Sequence, residues 1–142
     1  MTTIFTRIID GEIPGRFVWR DDRVVAFLPI ALLAPGHTLV VPIEPVDHWI
    51  DLDPALNTAV WSVAQRISRA LDSIYHPTKV GVLVVGEEVP HAHVHLVPFT
   101  ELSQMSFANQ DTDPAPEALD EQARSLRAAL RAQGGGPAVP EA

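Results

Sequence analysis

Apolar and polar positions repeat along this chain with two periods, and the switches between them divide it into elements. Ile4-Phe5-Thr6-Arg7-Ile8-Ile9 puts its apolar residues on one side of a short helical turn, and Asp10-Gly11-Glu12-Ile13-Pro14-Gly15 stops it. Such a turn is expected to cap the core. Strands are predicted from Phe17 to Arg20 and from Val24 to Leu28, and the short polar Asp21-Asp22-Arg23 joins them as a hairpin. After an irregular apolar stretch, Pro29 to Pro35, the run Gly36-His37-Thr38-Leu39-Val40-Val41-Pro42 is a third strand with His37 near its start. Asp53-Pro54 supplies an N-cap and a proline at the first helical position. The helix that follows runs to about Tyr75, with Leu56, Val60, Val63, Ile67, Leu71 and Ile74 forming one apolar stripe. Trp61 packs at the edge of that stripe or, as a lesser alternative, at a subunit interface. His76-Pro77 ends the helix, with His76 as a favourable charge at its C-terminus.

Lys79 to Val85 is another β-branched run, and Gly86-Glu87-Glu88-Val89-Pro90 turns it into the strand His91-Ala92-His93-Val94-His95-Leu96-Val97-Pro98, so these two pair as a hairpin. Beyond Phe99 the chain is polar and irregular to Asp113. Pro116 to Arg131 forms a second amphipathic helix, apolar at Leu119, Ala123, Leu126 and Leu130. Its acids Glu117, Asp120 and Glu121 come early and Arg127 and Arg131 late, the order the helix dipole favours. Residues 1–132 thus make one domain, and the glycine-rich end, 133–142, is expected to be a disordered tail. The fold class is α+β: a mainly antiparallel sheet of about five strands, a long central helix and a C-terminal helix.

Composition narrows the chemistry. A chain of 142 residues can bury a core without staples, and with no cysteine it has neither disulfides, cysteine-ligated zinc nor a cysteine nucleophile. Ten Lys+Arg against eighteen Asp+Glu give a net charge of −8 without a basic run, which argues against a nucleic-acid partner. An anionic ligand must therefore be held by a local constellation. No basic-then-apolar leader opens the chain and no apolar run approaches the roughly 18 residues of a membrane span, so a soluble cytoplasmic protein is expected.

That constellation is sought in the last strand, which holds three of the six histidines. Successive side chains of a strand face opposite ways, so His91, His93 and His95 share one face while Ala92, Val94 and Leu96 pack on the other. Neighbouring imidazoles would be about 6.6 Å apart, from a rise of roughly 3.3 Å per residue. Three histidines in five positions argue against a coincidence of surface residues. Two readings remain: a metal site, since His-x-His on a strand is a common donor pair, and nucleophilic catalysis at phosphorus through a covalent imidazole intermediate. The residues alone leave both open.

His91-Ala92-His93-Val94-His95-Leu96-Val97 resembles the His-φ-His-φ-His-φ-φ signature, φ being apolar, of the histidine-triad (HIT) superfamily. Ile4-Phe5-x-x-Ile8-Ile9-x-Gly11-Glu12-Ile13-Pro14, Val25-Ala26-Phe27-Leu28, Ala34-Pro35-Gly36-His37-Thr38-Leu39-Val40-Val41-Pro42 and Gly86-x-x-Val89-Pro90-His91 resemble family blocks in the same order. The likeness spans about residues 4 to 99 and is of the bacterial kind, with nine arginines to one lysine pointing to an actinobacterial one.

The resemblance implies a HIT-like fold and a homodimeric hydrolase or transferase that needs no metal or cofactor. It would bind a purine nucleotide or nucleotide conjugate and act at the α-phosphorus of a nucleoside phosphoramidate or dinucleoside polyphosphate. His93 would be the nucleophile, forming a nucleotidyl intermediate; His95 and His37 would contact phosphate oxygens or the leaving group; His91 would orient His93, largely through its backbone carbonyl. An imidazole whose Nδ1–H is held by a carbonyl keeps its Nε2 lone pair free, and a charged His95 or His37 would stabilise charge developing on the phosphoryl oxygens. Phe27, Pro29, Glu87, Glu88 and Val89 fall in the blocks that line the substrate. A nucleotide-binding or protein-interaction module with little turnover, and a His-cluster metal-binding protein, are the alternatives.

The departures are as specific as the matches. Many bacterial relatives carry a cysteine pair that binds zinc with downstream histidines, whereas this chain has Thr3 and Thr6, so that zinc is expected to be absent although His48 remains. Pro29 stands where the family often has an acid for the ribose hydroxyls. Glu87-Glu88 replaces the usual Gln and Ser or Thr, and since adjacent extended residues face opposite ways only one glutamate is expected to point inward. An inward carboxylate either opposes the phosphate or greets a cationic leaving group such as an amine.

Overall fold

The computed structural model describes residues 2–141. Its elements in order are α1 (Ile4–Ile9), β1 (Phe17–Arg20), β2 (Val24–Phe27), β3 (Thr38–Pro42), α2 (Pro54–Tyr75), β4 (Lys79–Leu83), β5 (Val94–Phe99) and α3 (Pro116–Ala132). All strand pairs are antiparallel, in the spatial order β1-β2-β3-β5-β4, so β3 and β5 lie at the centre although 51 residues separate their ends. Among the described residues no helix is long and apolar enough to cross a membrane.

Strand alternation sorts the core onto two faces. Val24, Ala26, Val40, Val94 and Leu96 point toward α2 and α3 and form the main core with Leu56, Val60, Val63, Ile67 and Leu71 of α2 and Leu119, Ala123, Leu126 and Leu130 of α3. Val25, Phe27, Leu39 and Val41 point the other way, where Phe5 and Ile9 of α1 cover them. The expected cap is therefore present, on the face opposite the long helices. Asp53 caps α2 by accepting from the Ala55 N–H, with Pro54 at the first turn. At its other end His76 is a left-handed cap, φ 45°, whose N–H donates to the Asp72 carbonyl.

Four differences from the sequence reading have physical causes. The histidine strand starts at Val94, because the Ala92 N–H donates to the Val46 carbonyl and the His91 N–H to that of Val89, tying this backbone to loops rather than to a neighbouring strand. Its partner β4 stops at Leu83, ahead of the left-handed Gly86 at φ 74°. The segment after Phe99 is not wholly irregular: it folds into 3-10 turns at Leu102–Met105 and Phe107–Asn109 and returns to pair Leu32 with Asp111. The glycine-rich end, expected to be a disordered tail, folds back on α3. The Gly135 N–H donates to Leu130, Val139 is buried in the main core, and Arg131 Nη2 donates to the Pro140 carbonyl.

Candidate functional site

The centre of the sheet brings His37, at the entrance of β3, against His95 in β5. Gly36 makes this approach possible: it is left-handed, φ 89°, and a Cβ there would stand 2.5 Å from a Tyr75 ring carbon. The Leu33 N–H donates to His37 Nδ1 at 3.0 Å, which puts the His37 proton on Nε2. His37 Nε2–H then donates to His95 Nδ1 at 2.9 Å, which in turn puts the His95 proton on Nε2. A backbone amide thus fixes the tautomers of two side chains in series.

His91 and His93 are set by a second chain of contacts. His91 is fully buried; its Nε2–H donates to the Pro42 carbonyl at 2.6 Å, and its Nδ1 lies 2.9 Å from the Thr3 hydroxyl. The His91 backbone carbonyl accepts from His93 Nδ1–H at 2.8 Å, leaving His93 Nε2 as a bare lone pair. That lone pair is the group a nucleophile at phosphorus requires.

The imidazoles do not form an evenly spaced row of three. His93 and His95 are in contact, with ring centroids 4.8 Å apart, His37 stands 5.2 Å from His95, and the His91 ring lies beneath the row, clamped between Thr3 and Pro42. Phe5 packs edge-on against His93 at 4.9 Å, and Phe107 against His95 at 5.2 Å. Burial lowers all four imidazole pKa values. His37 falls to about 4 and His95 to about 3, each pushed further by the neighbouring imidazoles. In place of the charged His95 or His37 expected to meet a phosphate, both rings are neutral at neutral pH, and of the N–H groups of the four imidazoles only His95 Nε2–H is not given to another group among the described residues. For His93 burial is opposed by the His91 carbonyl and the Glu88 carboxylate, with a net lowering that keeps the ring unprotonated.

The remaining substrate candidates are more scattered. Phe27 is only 2 % exposed, covered edge-on by Phe5 and Phe17, and forms core behind the site. Val89 is half-buried against the same cluster, Pro29 is half-buried just past β2, and Glu87 and Glu88 are both exposed. Of the two glutamates, Glu88 is the one whose field reaches His93. His93 also borders a cleft of about 120 Å³ between Asp47, His48 and Trp49 on one side and Val84, Val85 and Gly86 on the other. Sequence reasoning missed Thr3, Phe5 and Phe107 as neighbours of the imidazoles. Their signals were a Thr-x-x-Thr before an apolar turn and a lone aromatic in a polar segment.

A metal does not fit this donor set. Both His91 ring nitrogens are engaged, His93 keeps only Nε2, and His95 Nδ1 is taken by His37. The Thr3 and Thr6 hydroxyls close a reciprocal capping box at the start of α1 and offer no thiolate. Among the described residues no group of three or more His, Cys, Asp or Glu is placed to hold an ion.

Comparison with known proteins agrees with the geometry. The family model of the HIT domain matches residues 10–102. An uncharacterized HIT-like protein of Borreliella burgdorferi is 38% identical over 102 residues, covering 67% of this chain and 73% of that protein. The asymmetrical bis(5'-nucleosyl)-tetraphosphatase of Schizosaccharomyces pombe is 26% identical over 85 residues, covering 56% of this chain and 47% of the enzyme. The zinc-bound histidine triad family protein of Mycobacterium smegmatis has the same fold, with a TM-score of 0.81 at 28% identity over 95% of this chain and 97% of that one.

Proposed function

This chain belongs to the HIT domain family, and from that premise we propose that it is a cytoplasmic hydrolase acting at the α-phosphorus of a purine nucleotide conjugate, a nucleoside phosphoramidate or dinucleoside polyphosphate. The observation that carries this proposal is the bare Nε2 of His93, held in that tautomer by the 2.8 Å bond from its Nδ1–H to the His91 carbonyl. The lone pair attacks phosphorus and the bond to the leaving group breaks, its electron pair departing with that group, which takes up a proton. Water then attacks the nucleotidyl-imidazole, and the N–P electrons return to Nε2 as the nucleotide is released. His95 Nε2–H, its proton placed by His37, donates to a phosphoryl oxygen or to the leaving atom, and the His91 carbonyl stabilises the imidazolium formed in the first step. The tetraphosphatase activity of the fission-yeast relative supports a substrate of this class.

His93→Ala should reduce turnover of adenosine phosphoramidates and dinucleoside polyphosphates by at least about a thousandfold, the scale of losing a nucleophile. Full retention of hydrolysis would remove His93 from this role.

A second reading, a nucleotide-binding module with little turnover, is favoured by Glu88, whose negative field reaches His93 and would oppose an anionic phosphate brought to that ring. Replacing Glu87 and Glu88 together by Gln and Ser should tighten AMP binding severalfold, a modest gain because both are exposed and screened by water. Unchanged or weaker binding, by calorimetry, would mean that neither carboxylate opposes the phosphate. We further propose a homodimer that covers the β4 edge strand, which presents Val82 and, just beyond it, Val85, at 44 % and 57 % exposure.

A further inference from the structure

We propose that Thr3 is a positioning residue for the His93 nucleophile, acting through His91. This rests on the chemistry assigned to His93 above. Thr3 lies 88 residues from His91 in sequence, yet its hydroxyl is 2.9 Å from His91 Nδ1 and is buried.

The direction of that hydrogen bond follows from its neighbours. The Pro42 carbonyl can only accept, so the His91 proton is on Nε2 and Nδ1 must be an acceptor. The Thr3 hydroxyl therefore donates to it, while its own lone pair accepts from the Thr6 N–H at 3.1 Å. Every polar atom in this chain of contacts is satisfied, and among the described residues no buried side-chain nitrogen or oxygen lacks a partner. His91 is consequently held at both ring nitrogens, fully buried, and its backbone carbonyl is fixed where His93 Nδ1–H meets it.

Removing the Thr3 hydroxyl leaves His91 Nδ1 buried without a donor. The ring then gains by turning or changing tautomer, at the expense of the Pro42 bond, and the carbonyl that sets His93 moves with it. The hydroxyl also ties the first turn of α1 to the site, since Phe5 of that helix packs against His91 at 5.7 Å and His93 at 4.9 Å.

Capping and positioning can be separated because Thr6 shares only the first role. Thr6 Oγ1 accepts from the Thr3 N–H and donates to the Thr3 carbonyl, with no bond to His91. The experiment compares Thr3→Val, Thr3→Ala, Thr3→Ser and Thr6→Val in the full chain. It records imidazole ¹⁵N spectra of His91 and His93 alongside kcat and KM for adenosine phosphoramidate. Thr3→Val should shift the His91 Nδ1 resonance, mix the His93 tautomers and lower kcat about fivefold or more at nearly constant KM, the loss of one buried hydrogen bond. Thr3→Ala should do the same, and it leaves no methyl where the hydroxyl stood, so it separates loss of the bond from any misfit of valine. Thr3→Ser should restore spectrum and rate, and Thr6→Val should lower thermal stability alone.

A Thr3→Val or Thr3→Ala protein that keeps the His93 tautomer and a kcat within about twofold would overturn the proposal, as would a Thr6→Val protein with the same spectral change. The spectra need no turnover, so they test Thr3 even if His93→Ala should show that the nucleophile lies elsewhere.

Discussion

His37 and His95 stay neutral in the folded chain down to about pH 4 and 3, whereas the same side chains in the unfolded chain take up protons near 6.5. As pH falls, the unfolded chain binds protons first. The stability these two rings contribute is thus fully present above about pH 6.5 and is lost as pH falls from there through the folded-state values. Calorimetric unfolding temperatures should decline between pH 6.5 and 4, and His37→Gln, whose amide can still donate to His95, should decline less steeply. An equal slope in the two proteins would show that His37 is not buried in its neutral form. The bond from His93 Nδ1–H to the His91 carbonyl, expected from the family resemblance, is present at 2.8 Å, whereas the tautomers of His37, His95 and His91 were not legible in the sequence. Those depend on the Leu33 N–H, the Pro42 carbonyl and the Thr3 hydroxyl, contacts made only once the chain has folded.

At the level of elements, periodicity succeeded where the determinants were local. α2 was read from Pro54 to Tyr75 because the Asp53-Pro54 start, the apolar stripe and His76-Pro77 all lie within the segment itself. β4 and β5 were read too long because Val84, Val85 and His91 to His93 suit extended backbone but have partners outside the ladder, or none in it. Arg127 was assigned to the helix dipole, yet it is buried and its Nε–H donates to the Phe17 carbonyl, binding α3 to β1. The β4 edge carries the test of the proposed dimer. Val82→Lys should shift sedimentation toward the monomer, since a charge on an exposed edge strand opposes strand addition. A monomeric wild-type protein at micromolar concentration, or a dimer indifferent to the substitution, would exclude this edge as the interface.

On the scale of the whole molecule, the sheet divides structural from chemical duties: long helices fill one face, and α1 with the imidazoles occupies the other. The α+β class and the five-strand sheet were legible because strand and helix periods alternate clearly. The docking of the glycine-rich end was not, because it depends on Val139 finding the core beside α3 and on bonds to Leu130 and Arg131 that form only when the end has turned back. The neutrality of the imidazole row has a further consequence when set against a chain of net charge −8. A phosphate ester entering the proposed site would be met at short range by the His95 Nε2–H dipole, after first approaching a surface whose overall field repels it. Added salt weakens that repulsion and takes little from the short contacts. Association of an anionic nucleotide should therefore quicken as ionic strength rises from 0.01 to 0.15 M, as the Debye length shrinks from roughly 30 to 8 Å, whereas a site built on lysine and arginine would slow. Stopped-flow association rates across that range decide the sign: a fall with salt would mean that a protonated ring, rather than a neutral one, receives the phosphate.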